Sequence, residues 1–166
     1  MDTYPNQYIP KLILDYMSDE LADSDFYKRL ASTVKEKDVE EILRGISMDE
    51  EKHYKMLEKI YESITGQKAN VTDFTPEELS DNIFLNLDKR VMEELNAVEN
   101  YRSLMFALSE QWMRDYLTEI YTDDKSCCKA QFLIQQIFEI ILNFLFNIKQ
   151  TPDIGVCKKL LFFIWH

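Results

Sequence analysis

Glu50-Glu51-Lys52-His53 sets a carboxylate and an imidazole three residues apart. On a helix that spacing projects both side chains from one face toward one point, and together they offer the oxygen and nitrogen donors that suit a divalent transition metal. Three further acids interrupt apolar stripes: Glu20 between Met17 and Ser24, Glu94 between Val91 and Val98, and Asp124 four residues after Ile120. Glu50 itself follows Ile46 by four. A buried, unpaired carboxylate is costly enough that it is normally protonated or excluded. Four acids on inward faces therefore require a compensating cation, and a pair of metal ions is the natural candidate.

Helices must position these groups. Ile13, Tyr16, Met17, Leu21, Ser24, Tyr27, Ala31 and Val34 recur at helical spacing, which predicts a first helix from about Pro10 to Val34. Asp38 is the expected cap of a second helix, whose stripe of Val39, Ile42, Leu43, Ile46, Leu57, Ile60 and Ile64 runs to Gly66. Residues 67–74 read as a polar linker, and Thr75-Pro76-Glu77-Glu78 as the capped start of a short helical turn. A third helix carries Phe84, Leu87, Val91, Leu95, Val98, Tyr101, Met105 and Leu108 on one side, and a fourth starts near Gln111. With no competing strand pattern, the expected fold is all-α. It is an antiparallel four-helix bundle in which the longer middle connection crosses over between helices 2 and 3. Asp49, Glu51, Lys52 and Lys55 fall on the outer face of helix 2 and are expected to be solvent-facing charge.

Shifting the chain by 74 residues without a gap aligns Glu20 with Glu94, Tyr27 with Tyr101, Glu50 with Asp124 and His53 with Cys127. Leu21/Leu95, Leu30/Leu104, Leu43/Leu117, Ile46/Ile120 and Asp49/Asp123 match as well. Two helical hairpins related in this way would set two half-sites face to face across a pseudo-twofold axis. Over roughly Asn6 to Asp124 the chain resembles the ferritin-like di-iron bundle of the rubrerythrin family. The resemblance implies two iron ions, with other divalent metals as substitutes. It implies Glu20 and Glu94 as terminal ligands, Glu50 and Asp124 in bridging positions and His53 as the nitrogen ligand. It implies that Tyr27 and Tyr101 hydrogen-bond just outside the ligands, where the bridging carboxylates are the expected partners of their buried hydroxyls. Simple aromatic packing is the alternative for both tyrosines. Oxidoreductase chemistry on peroxide or dioxygen and a homodimeric assembly are likewise implied.

The chain departs from the family pattern in three places. Ala97 stands where rubrerythrins carry an extra Glu, three residues after the helix 3 ligand. No Cys-x-x-Cys pair occurs, so the rubredoxin domain of full rubrerythrins is missing and electrons would come from a separate donor protein. On helix 4 the expected Glu-x-x-His reads Asp124-Lys125-Ser126-Cys127. Asp is one methylene shorter than Glu. Cys127 could supply a thiolate, but a single Cys in a helical stripe is more often a small core residue.

After Lys125 the composition changes, with residues 132–146 dominated by Phe, Ile and Leu and the chain ending Leu160-Leu161-Phe162-Phe163-Ile164-Trp165-His166. Residues 1–138 are read as the bundle and 139–166 as an atypical apolar tail. Codons can be chosen for Ser126 through Glu139 that encode, one nucleotide later, an ending resembling that of the family. A frameshift in the gene or its record is the reading this supports, and the coding DNA decides it. In that case Cys127, Cys128 and Cys157 carry no functional history. The bland alternative is a genuine helical extension that packs on the bundle or at a dimer interface. Gln135, Gln136, Glu139 and Asn143 interrupt the stretch, so a membrane span is not expected.

Composition agrees with a single helical domain: 166 residues, 46% hydrophobic and 30% charged, with only three Gly and four Pro to serve tight turns. A net charge of −11 has the wrong sign for phosphate-backbone binding, so nucleic acid is not an expected partner. Three cysteines, two of them adjacent, form no disulfide framework, and the start of the chain lacks a signal-peptide pattern, so a cytoplasmic protein is expected. The leading function is a non-haem di-iron oxidoreductase reducing peroxide or dioxygen. Iron sequestration with ferroxidase activity and a metal-free helical interaction module are the alternatives.

Overall fold

A computed structural model describes residues 8–71, 74–127, 131 and 134 of the chain. Three helices are bounded as α1, Tyr8–Ala31; α2, Lys37–Thr65; and α3, Ile83–Ala107. A fourth, α4, is helical over residues 111–127. There is no strand among the described residues, and the architecture is the all-α four-helix bundle expected.

Local chemistry sets the boundaries. Pro10 is tolerated as the third residue of α1 because its missing N–H would have had no intrahelical partner there. The helix stops three residues before Val34. The N–H groups of Ser32 and Thr33 bond to the carbonyls of Arg29 and Leu30, each at 3.0 Å, and the side chains of both residues bond back to carbonyls of the last turn. α2 is capped by Glu36, not Asp38, and without a side-chain bond. Asp38 lies inside the first turn, where its charge complements the helix dipole. At the other end Gly66 takes φ 69°, and its N–H closes on the Glu62 carbonyl at 2.8 Å, as a left-handed glycine cap does.

Residues 74–80 form no helical turn. The crossover is tied down by side chains instead. Glu77 binds Arg90 at 2.7 Å and also Lys89, while Ser80 and Asn86 exchange two bonds of 2.9 Å. Asn82 then caps α3 by accepting the Phe84 N–H at 3.0 Å.

α1 and α2 are antiparallel and close. Ser24 Oγ donates to the Ser47 carbonyl at 3.0 Å and Ser47 Oγ returns the bond to the Ser24 carbonyl at 2.8 Å, a reciprocal contact that only small side chains permit. α3 and α4 run antiparallel too, with Met105 against Thr118 and Glu94 against Cys127.

The buried face of α3 is rotated from the one expected. Asn86, Leu87, Arg90, Glu94, Val98, Tyr101 and Leu104 point inward, whereas Leu95 is 45% exposed and Val91 half-buried. The cause is Arg90. Its guanidinium lies 4.0 Å over the Phe26 ring and pairs with Asp23, Glu77 and Glu93, so a charge-paired cation takes the place of Val91 and Leu95 on the inner face.

One apolar cluster combines Ile13, Met17, Leu57, Ile60, Leu104, Leu108, Met113, Leu117 and Ile120. Phe26 and Leu30 are buried near the C-terminal end of α1, and Val39 and Leu43 near the N-terminal end of α2. The acids lie between these two apolar layers. All the residues of the site described below belong to the unit Met1–Gln131. The expected boundary at residue 138 and the apolar tail fall outside the described residues.

Candidate metal centre

Each helix delivers one acid to the same buried layer. α1 supplies Glu20, α2 Glu50 with His53, α3 Glu94 and α4 Asp124, at exposures of 5%, 3%, 0%, 4% and 2%. His53 orients the group. Its Nδ1 lies 3.0 Å from Glu50, 3.5 Å from Glu20 and 3.6 Å from Asp124, so one ring nitrogen faces three carboxylates. The opposite nitrogen, Nε2, lies 3.4 Å from Asp123, which in turn accepts from Lys52 Nζ at 2.7 Å. A carboxylate behind an imidazole fixes the tautomer and ring orientation of a metal-ligating histidine and raises its basicity.

Glu20, Glu50 and His53 form one group of donor atoms within 4.8 Å of one another, and Glu50, Glu94 and Cys127 form another. Glu50 is common to both, the position from which one carboxylate can serve two ions. Asp124 belongs to neither group, yet its Oδ2 is buried without a hydrogen-bond partner. A carboxylate oxygen in that state is what a cation would satisfy, and the oxygen, nitrogen and sulfur donors fit divalent iron, zinc or cobalt.

Tyr27 and Tyr101 hydrogen-bond to carboxylates of this layer, but not to the bridging ones as expected. Tyr27 donates to Glu94 at 2.7 Å, and Tyr101 donates to Glu20. Each tyrosine thus reaches the acid of the other hairpin, which reproduces the 74-residue repeat as a twofold exchange. Gln131 completes one side, with its amide nitrogen 2.6 Å from the Tyr27 hydroxyl and 2.8 Å from the Cys127 sulfur.

Without a cation the layer is electrostatically unfavourable. Burial, reinforced by Asp124, pushes the Glu20 carboxyl well up despite its hydrogen bonds. Burial and the Glu20 charge do the same to Glu50. Asp124 rises to about 10 through burial and repulsion from Glu94 and Glu50. Glu94 is also raised by burial, though Tyr27 and Cys127 oppose the shift with hydrogen bonds. Burial pulls His53 down, but Glu50 and Asp123 outweigh it and leave the imidazole above its ordinary value. Burial and neighbouring carboxylates raise Tyr27, Tyr101 and the Cys127 thiol. The tyrosines therefore remain protonated donors.

A cavity of about 240 Å³ opens onto the layer between α2 and α4. Gly45, Ile46, Asp49, His53, Asp123 and Cys127 are among its lining residues. Gly45 matters because no atom lies within 4 Å of where its Cβ would stand, so the space in front of it is open.

Two residues escaped the sequence reading. Asp123 was visible only as a repeat match to Asp49, and Lys52 was expected to be free surface charge. Lys52 is instead half-buried and bridges Asp123 and Glu119, at 2.7 and 3.1 Å. Asp49, Glu51 and Lys55 are exposed as expected. The usable signal was the acid immediately before the ligand position of α4, Asp123, which sits beside His53 of α2.

The profile of the rubrerythrin family matches residues 13–126, most of the described bundle. No curated protein and no solved structure matches the chain.

Proposed function

This chain belongs to the rubrerythrin family, and on that premise we propose that it is a di-iron oxidoreductase reducing peroxide or dioxygen with electrons from a separate donor protein. The observation that carries the reading is His53, whose Nδ1 faces three buried carboxylates while Asp123 holds Nε2 from behind. Glu20, Glu50 and His53 would hold one metal, and Glu50, Glu94 and Asp124 the other. Two ferrous ions, when bound, would supply the two electrons that reduction of one peroxide consumes.

The residues of the chain provide charge balance and shape. Four carboxylates would neutralise two divalent cations, which would offset the burial and mutual repulsion that otherwise keep protons on Glu20, Glu50 and Asp124. Tyr27 and Tyr101 each occupy one oxygen of a terminal carboxylate and so fix the direction of the other. The apolar layers on either side exclude bulk water from the charged one. The cavity beside His53 is wide enough for a small oxidant. The proposed electron source is a donor protein, since these 166 residues contain no Cys-x-x-Cys pair. We place the protein in the cytoplasm, where such donors are kept reduced. No described helix is long and apolar enough to cross a membrane.

The test is anaerobic ferrous titration of the purified chain with metal analysis, and Glu50→Ala as control. Two irons per chain, lost in the variant and oxidised by one equivalent of peroxide, are the expected result. Uptake far beyond two per chain would point to iron sequestration instead. Failure to bind any metal would make the bundle a helical interaction module.

A further inference from the structure

We infer that Cys127 supplies a thiolate ligand to a divalent transition metal held with Glu50 and Glu94, so that the two half-sites differ, one nitrogen-bearing and one sulfur-bearing. The inference rests on the di-metal reading above and specifies its second half.

Cys127 stands at the repeat position of His53, and the fold carries that correspondence into space. Cys127 is 7% exposed and its sulfur lies 3.3 Å from Glu94 Oε1, with the Glu50, Glu94 and Cys127 donor atoms all within 4.8 Å of one another. Ligands bound at about 2.0–2.3 Å to one tetrahedral ion lie roughly 3.3–3.7 Å apart, so little movement closes the site.

One observation independent of the cysteine points to a cation in this layer, beside the charges of Glu94 and Glu50, and a second concerns the surroundings of the sulfur. Asp124, 2% exposed, shares this layer with an Oδ2 that has no partner. Gln131, fully buried, directs its amide nitrogen at the sulfur from 2.8 Å and at the Tyr27 hydroxyl from 2.6 Å. An N–H donor aimed at sulfur stabilises a thiolate. Deprotonation balances simply, since the S–H proton leaves to solvent as the sulfur–metal bond forms and no electron is transferred. Sulfur is a softer donor than imidazole, so this half-site favours zinc, cobalt or ferrous iron over manganese or magnesium. Coordination depends on where the sulfur stands and not on how the codon arose.

The test is anaerobic cobalt(II) titration of the full chain in a Cys128→Ser, Cys157→Ser background, followed by absorption. Two cobalts should bind, with a near-ultraviolet thiolate-to-cobalt charge-transfer band for one of them. Cys127→Ala should abolish the band and weaken the second cobalt by about 100-fold or more, since loss of an outer partner alone costs 10–100-fold. Cys127→His should recover the affinity without the band, which separates a lost ligand from a damaged fold. Two cobalts with no band would overturn thiolate ligation and leave the di-metal reading intact. Cobalt binding only after Cys127→His would overturn it as well, while showing the other ligands to be competent. Absence of binding in every form would overturn both.

Discussion

The Tyr27 hydroxyl donates a 2.7 Å hydrogen bond to Glu94, an acid 67 positions away on a helix of the other hairpin. Its repeat partner Tyr101 does the same to Glu20. Each phenol therefore belongs to one half of the chain and supports a ligand candidate of the other. Removing them singly should expose this crossing. Tyr27→Phe is expected to weaken the metal at Glu94, and Tyr101→Phe the metal at Glu20, each by about 10- to 100-fold. Competition against a chromophoric chelator reads both sites. Equal, undiminished affinity in both variants would deny the phenols any role beyond packing.

Asp123 is the support of His53. Asp123→Ala removes the acceptor behind Nε2 and frees the imidazole to rotate, and it should cost about 10- to 100-fold in metal affinity. Lys52 is more exposed and acts only through Asp123, so Lys52→Ala should cost no more than about three-fold, in line with surface ion pairs. Isothermal titration of the two variants side by side makes the comparison. A larger loss from Lys52→Ala would place the main support elsewhere.

The metal-free bundle should lose stability as pH rises. Asp124 titrates at about 10 in the fold against 3.8 for the free side chain, so the folded state binds more protons between those values. That stabilising contribution is complete below about pH 4 and disappears progressively as pH climbs through the folded value. Glu20 and Glu50, raised chiefly by burial, and His53, raised by Glu50 and Asp123 against burial, act in the same direction. Asp123 is held low by Lys52 and His53 against burial, so its opposite effect is confined to acid below about pH 4. Thermal melts of chelator-treated protein should show Tm falling between pH 5 and 8 by more than about 5 °C, where each kcal/mol is worth roughly 2–4 °C. Zinc or ferrous iron should reverse the trend, because the ligands then bind as anions. A flat or rising profile for the metal-free protein would contradict the protonated layer.

Arg90 joins three carboxylates and the face of Phe26 at the point where the crossover meets α3. Arg90→Met should destabilise the fold by about 3 kcal/mol, at the low end for a broken buried pair. The cost is limited because Asp23, already lifted to about 7 by burial against the pull of Arg90, can take up a proton. Loss of the Glu77 tether should also make residues 74–80 a preferred site of limited proteolysis. Chemical denaturation and a timed digest test the two expectations separately.

The sequence by itself determined the four helices, their pairing into repeated hairpins and the identity of the acids on their inner faces. Each of these is a periodic or translational property, and apolar spacing together with a 74-residue shift records it directly. Gly66 was legible for the same reason, as a lone glycine ending an amphipathic stripe. Features set by distances between helices were not legible. Whether Arg90 or Val91 faces inward depends on Asp23 and Glu77 arriving from other segments to compensate the charge. The tyrosines could be recognised as a matched pair, but their crossing onto Glu94 and Glu20 follows from the antiparallel packing of the hairpins. Cys127 is the sharpest instance. Along the chain it is a small residue where a histidine was expected, and only the tertiary structure sets its sulfur against Glu94, because that neighbour comes from a different helix.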